Sequence, residues 1–331
     1  MKESNKKVKM TLQEFQRNEM GPLWEIFDFC TNIPMSIYSD SLGVKVPEAC
    51  YRSSMWSQNS RLMSEEYLLN AKRSSIDLAL PLGVFSYSTL GTRGSLSFRD
   101  LLEEEVKQQN ITVELPNYMK VNAPLGAIIR SRRSVREMKG DKISLEELST
   151  LLYYGDGVSG DFNHSVDGNE FPSTETLGSK YVSKVRTAPS GGGLYPVYLY
   201  VLAINVENTK KGIYKYMPLT HSLEIVKIFN DKDYEELLTI ANWGRNIEMD
   251  KLGFAVFYIY SLYENSRKYV DMGLTFALIE AGEIAENIHL TSTALNLGSC
   301  DIGGYDKVLC EKMLGVDGLT KHLIHLTLIG K

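Results

Sequence analysis

The chain has 331 residues, of which 43% are hydrophobic, 10% aromatic and 23% charged. That composition supports a sizeable buried core and excludes disordered, collagen-like and small disulfide-stapled proteins. With 36 Lys and Arg against 41 Asp and Glu, the formal charge is -5, which argues against a broadly basic nucleic-acid surface.

The opening stretch, MKESNKKVKM, is polar and lacks the apolar core of a signal peptide. No uninterrupted apolar run approaches the roughly 20 residues of a membrane helix, so the cytoplasm is the expected compartment and no membrane partner is expected. Cys30, Cys50, Cys300 and Cys310 are scattered without a CxxC pair, the usage of packing residues in a reducing compartment. The five histidines form no ligand pattern with them, and no metal site is expected. Residues 1–120 read as an accessory region: polar, helical-looking segments at Ser64–Ala71 and Phe98–Gln108 flank an apolar run, Ile76–Phe85. No chemical constellation is visible there, and its role is docking or dimerisation.

From residue 121 the pattern sharpens. Pro124 suits the first turn of a short helix through Arg130. Ser144 and Glu147 have capping-box spacing ahead of a helix through Tyr153. Gly155–Ser179, rich in Gly, Ser, Asn and Asp, reads as a long loop. Val197–Ile204 is a buried strand, and Gly212–Lys227 a hairpin turning near Pro218–Ser222. Phe254–Ser261 is another strand and Met272–Leu295 a long helix rich in small residues. Gly298–Ile302, Val308–Leu314 and Leu323–Ile329 follow as strand, helix and strand, with His322 and His325 on the last. Strands and helices without regular βαβ alternation make the fold class α+β.

Gly155, Gly157 and Gly160 satisfy GxGxxG, but a helix precedes them and a polar loop with Pro172 follows. A dinucleotide site needs a strand before and a helix after, so this match is set aside. Arg130, Arg132, Arg133, Ser134 and Arg136 have the guanidinium forks and hydroxyl donor that a phosphomonoester requires; the alternative is a solvated basic face. In Ala188–Pro196, APSGGGLYP, three glycines remove side chains where backbone approaches a flat group; the alternative is a plain turn. In Lys268-Tyr269 a lysine charge can lower the phenol's proton affinity, or the amine can itself shuttle a proton. Lys180-Tyr181 is a second such pair. Ile302-Gly303-Gly304 either lets backbone lie against a ligand or simply turns the chain.

In this order the motifs resemble the flavin-dependent nitroreductase superfamily, and within it the streptolysin-type dehydrogenases of thiazole/oxazole-modified microcin biosynthesis. The resemblance covers about residues 121–331 and rests on Arg132–Arg136, Ala188–Pro196, Lys268-Tyr269 with the helix Ala277–Asn287, Ile302–Gly304 and the ending Leu328–Lys331. It implies an FMN-binding nitroreductase-like domain over residues 121–331, with a central antiparallel-rich sheet flanked by helices and an N-terminal extension. It also implies a homodimer holding FMN at the subunit interface. By position, Arg132, Arg133, Ser134 and Arg136 would bind the phosphate. Pro189, Ser190, Gly191, Gly192, Ile302, Gly303 and Gly304 would line the ring, and Lys268 and Tyr269 would be catalytic. The implied reaction is oxidation of peptide-bound thiazolines or oxazolines to azoles on a precursor peptide, beside a partner cyclodehydratase. A generic NAD(P)H-dependent nitro or quinone reductase and a non-catalytic scaffold subunit are the alternatives.

Overall fold

The computed structural model describes residues 67–68, 79–87, 103, 106–107, 109, 111–162, 183–240 and 247–331. The chain divides into two units, Met1–Ser75 and Ile76–Lys331. In the first, only Tyr67 and Leu68 are described, both helical. Most of the helical readings at Ser64–Ala71 and Phe98–Gln108, together with Cys30, Cys50 and Lys180-Tyr181, lie outside the described residues.

The second unit is built on a seven-stranded sheet. Its strands are β1 (Thr112–Glu114), β4 (Val197–Ala203), β5 (Gly212–Met217), β6 (Ser222–Ile228), β7 (Phe254–Ser261), β8 (Gly298–Asp301) and β9 (Lys321–Gly330), in the order β1-β6-β5-β4-β7-β9-β8. Every pairing within it is antiparallel. A separate two-stranded ribbon joins β2 (Val158–Phe162) to β3 (Ser183–Arg186). The α+β class expected from the element pattern and the antiparallel-rich sheet that the resemblance implied are both observed.

Both faces of the sheet are covered, which explains why its central strands read as continuous apolar runs rather than alternating ones. Val197, Leu199, Val201 and Ala203 of β4 meet one core together with β7 residues Phe254, Val256 and Tyr258. That core packs on α3 (Leu145–Asp156) and α6 (Met272–Ala294). Tyr200 and Leu202 face the other core, which reaches α4 (Asp231–Ile240) and α7 (Lys307–Leu314). Burying one such aliphatic side chain stabilises the fold by about 1.5–3 kcal/mol.

Helix α3 begins as its sequence dictates. Glu147 N–H donates to Ser144 Oγ at 3.1 Å, and Ser144 N–H donates to Glu147 Oε2 at 2.7 Å, so two orphan donors are satisfied reciprocally. The helix runs past Tyr153 to Asp156. The first part of the region read as a loop is not one: Gly155 lies inside α3 and β2 follows at once, while residues 163–179 of that reading lie outside the described residues. Gly155 is there for packing, since a Cβ would lie 2.9 Å from Ile288 Cγ1 on α6. Pro124 sits one residue before α2 (Leu125–Ser131), at φ -63°, instead of inside its first turn. Cys300 and Cys310 are buried free thiols.

Candidate active site

The glycine run sits on a 3-10 turn, Gly191–Gly193, between β3 and β4. Gly192 and Gly193 both have φ +66°, a left-handed conformation that glycine adopts without a Cβ clash. A second reason is local crowding. A Cβ on Gly192 would collide with the Tyr269 hydroxyl and the Lys268 ammonium, and one on Gly191 would press on Phe276 at 3.2 Å. Two motifs far apart in sequence therefore converge.

Lys268 and Tyr269 do not lead directly into the long helix. They close a short helix of their own, α5 (Leu262–Tyr269), which follows β7. The link to α6 passes through Val270, at φ 51° and ψ -133°, a conformation sterically costly for a β-branched residue. Lys268 is 9% exposed, and burial lowers its pKa by disfavouring the ammonium. Burial raises the pKa of Tyr269, whose ring packs edge-on against Phe276 at 4.9 Å. The pair thus holds an amine with weakened proton affinity beside a phenol that keeps its proton.

Beneath the turn lies a buried polar network. Ser190 Oγ makes a very short contact with Glu280 Oε2 on α6 and accepts from Tyr195 N–H at 2.9 Å. Glu280 Oε1 accepts from Val197 N–H at 3.2 Å. Asp156 and Arg186 form an ion pair at 2.6 Å, both buried, and the guanidinium lies 4.5 Å over the Tyr195 ring. Burial is the largest single influence and opposes the Arg186 charge, but Asp156, Glu103 and Glu280 together outweigh it and hold the group protonated. Glu280 is 1% exposed. Its pKa is pushed up to about 8, first by burial and further by Asp156, against the hydrogen bonds from Ser190 and Val197 and the charge of Arg186.

A second group forms at the far edge of the sheet. Arg132 caps α2 and is half-buried, while Arg133, Ser134 and Arg136 are exposed. The segment lies along β8 through the Ser134–Ser299 bridge, with Val135 N–H donating to Ser299 O at 3.0 Å. Arg133 Nη1 donates to the carbonyls of Arg130 and Arg132. Among the described residues, none of Arg130, Arg132, Arg133 and Arg136 is paired with a carboxylate. Ile302, Gly303 and Gly304 follow β8 directly, and the space beside both glycines is open.

Next to them lies a cavity of about 200 Å³, lined by Gly282, Glu286, His289, Asp301, Ile324 and His325 among others. Asp301 Oδ1 receives His289 Nε2 at 2.9 Å, His325 Nε2 at 3.2 Å and the Thr327 hydroxyl at 2.7 Å. Burial alone would raise the Asp301 pKa, but these donors hold it far below the usual carboxylate range.

The site residues expected from the sequence thus fall into two groups. Gly192 meets Lys268 and Tyr269, while Gly191 lies against Phe276, Ser190 against Glu280, and the exposed Pro189 precedes them. Arg132–Arg136 and Ile302–Gly304 flank β8. The contacts to α6 made by the first group (Phe276) and by Ser299 of the second (His289) lie about 20 Å apart along the helix, at 1.5 Å per residue. Glu280, Asp156, Arg186 and His289 were not singled out from the sequence, and His325 was read only as a residue of the last strand. A signal existed for three of them: Glu280 and His289 occupy core-facing positions in the Ala277–Ala281–Ile284–Ala285–Ile288 stripe. Asp156 likewise lies one turn after Leu152. A charged or titratable group in an apolar stripe calls for a partner.

Among the described residues no helix is long and apolar enough to cross a membrane. A family model described as the nitroreductase family matches residues 129–331. The chain is 31% identical over 201 residues to "Putative nitroreductase MJ1384" of Methanocaldococcus jannaschii, covering 60% of this chain and 87% of that one. It is 30% identical over 139 residues to the Microcin B17-processing protein McbC of Escherichia coli, covering 41% of this chain and half of that relative. A crystal structure described like the archaeal protein, from Ralstonia eutropha JMP134, superposes with a TM-score of 0.51 at 21% identity, over 67% of this chain and 90% of the other.

Proposed function

From the premise that the chain belongs to the nitroreductase family of oxidoreductases, we propose that it is an FMN-dependent azoline dehydrogenase. In this reading it converts peptide-bound thiazolines or oxazolines to azoles on a ribosomally made precursor, beside a cyclodehydratase. The observation that carries the reading is the convergence of Lys268 and Tyr269 on Gly192. Aromatising an azoline removes a hydride and a proton from neighbouring carbons, so a base must stand beside a hydride acceptor. Bound FMN supplies the acceptor chemistry. Lys268 is the better base of the pair, because burial favours its neutral amine while keeping Tyr269 a phenol; Tyr269 then orients or donates.

The residues present fit such a cofactor. Four arginines without carboxylate partners among the described residues, beside the Ser134 hydroxyl, suit a phosphate. Side-chain-free backbone at Gly191–Gly192 and Gly303–Gly304 suits a flat ring. The separation of the two groups along α6 supports a homodimeric site. The outer face of α6 exposes Leu278 at 49% and Ile279 at 53%, with open space at Gly282, and exposed apolar side chains beside bare backbone suit cover by a second copy. Two copies crossing on that face would bring the glycine turn of one to the arginines of the other. Residues 1–120 would serve as a docking arm for peptide or partner, and 30% identity to McbC over half its length favours peptide chemistry over small-molecule reduction.

Purified protein should be yellow with bound FMN, and co-expression with its precursor peptide and cyclodehydratase should give a loss of two hydrogens per ring by mass spectrometry. Replacing Lys268→Ala and Tyr269→Phe together should leave FMN bound and stop azole formation. Rapid NADPH-driven quinone turnover without azole formation would instead identify a general reductase, and colourless protein would remove both enzyme readings.

A further inference from the structure

We propose that Glu280 is a positioning residue: its protonation state sets the direction of the Ser190 hydroxyl and thereby decides whether the glycine turn offers its ligand a hydrogen-bond donor. The inference rests on the flavin reading above and adds a control to that site.

The valence of one oxygen sets the coupling. A serine hydroxyl has one hydrogen and two acceptor positions. At Ser190 one acceptor position is taken by Tyr195 N–H, at 2.9 Å. Glu280 Oε2 meets the same oxygen. If Glu280 is a carboxylate it only accepts, so the Ser190 hydrogen must point down into the core. If Glu280 carries a proton, that proton can fill the second acceptor position of Ser190. Both acceptor positions are then occupied and the Ser190 hydrogen is released toward the Gly191–Gly192 side.

The surrounding charges make both states accessible. Asp156 on α3 and Arg186 on β3 act on Glu280, and Glu103 acts on Arg186. These are three carboxyls around one guanidinium, and that guanidinium makes its direct contact with Asp156 at 2.6 Å. The nearby phenols of Tyr195 and Tyr216 stay neutral, their pKa values raised by burial. The Lys268 Nζ approaches Gly192. Glu280 is left with two neutral donors, Ser190 and Val197, inside the core. An isolated buried carboxylate is costly, so the proton is retained to higher pH than on an exposed glutamate, and the change falls near pH 8.

The test measures FMN affinity by fluorescence quenching from about pH 7 to about pH 9, above the second phosphate pKa. One neutral hydrogen bond corresponds to about a two- to tenfold change in Kd. Wild type should bind FMN more weakly by that factor as pH rises through about 8. Glu280→Gln, whose amide N–H donates to Ser190 permanently, should bind at the tight limit at every pH. Ser190→Ala should bind at the weak limit at every pH. A Glu280→Gln protein that keeps the wild-type step, or a wild type that binds FMN without a step, overturns the proposal. A cooperative thermal melt shows that each variant is folded. If wild type binds no FMN at any pH, the flavin reading fails. Infrared difference spectra of the ligand-free protein then decide the proton question separately. A protonated-carboxyl band lost between these pH values, absent in Glu280→Gln and displaced in Ser190→Ala, upholds the coupling; no such band overturns it.

Discussion

Val270 joins α5 to α6 at φ 51° with a branched side chain, one residue after the Lys268-Tyr269 pair. Such a conformation costs of order 1–3 kcal/mol, and it persists only where the surroundings over-determine it. Here they do: Asn265 Nδ2 donates to Gly273 O at 2.8 Å, and Tyr260 Oη donates to Asn265 Oδ1 at 2.9 Å. The two helices are thereby locked across the bend. Val270→Gly should raise unfolding stability by about 1 kcal/mol, because relief of strain exceeds glycine's extra unfolded-state entropy. Urea denaturation would show this as a higher midpoint at unchanged slope. A lower midpoint would mean that packing of the valine outweighs its backbone strain. Azole formation should fall in the same variant, since the bend holds Lys268 against Gly192. The sequence showed Lys268-Tyr269 and the glycine run as separate suspects. Their meeting was not legible, because it depends on this bend and on a strand–helix turn that no local pattern encodes.

At the scale of elements, legibility followed burial. β4, β7 and α6 were read from the sequence to within a residue or two, because strands buried on both faces and a long small-residue helix leave strong signals. Helix α5, LYENSRKY, was missed: it is eight residues long and largely polar. The ribbon β2–β3 was missed in part because VSGDF carries a glycine and no clean alternation, and its pairing with β3 is a tertiary fact. The capping box of α3 was legible outright, and its contribution is measurable. Ser144→Ala should destabilise the protein by about 1 kcal/mol, lowering Tm by roughly 1–2 °C for a chain of this size. A change within error would mean that Glu147, which also receives Lys331 Nζ at 2.8 Å, holds the helix start alone.

At the scale of the molecule, a site that needs a second copy, as proposed, would separate folding from function. Gly282 lies exposed on α6, and a Cβ there meets nothing within 4 Å. Gly282→Arg should therefore leave the protomer folded while blocking the crossing of two α6 helices. Size-exclusion chromatography should show a monomer where wild type elutes as a dimer, and the variant should emerge colourless although every arginine and glycine of both cradles remains. A monomer that still holds FMN would show that one copy suffices. Fold class was legible from composition and element order, since both depend on the apolar pattern. The two-part division of the site was not, because motifs in sequence order carry no distance.

The sheet order has a further consequence for the making of the protein. β9 lies between β7 and β8 and is downstream of both. While the chain is being synthesised, β7, all eight residues of which end up buried, therefore has an open hydrogen-bonding edge. β8 meanwhile has no partner strand. An open apolar edge is a template for pairing with other chains, and such intermediates aggregate readily. Yield in a cell should thus depend on how quickly the ten residues of β9 close the gap, and on chaperones that shield the edge until they do.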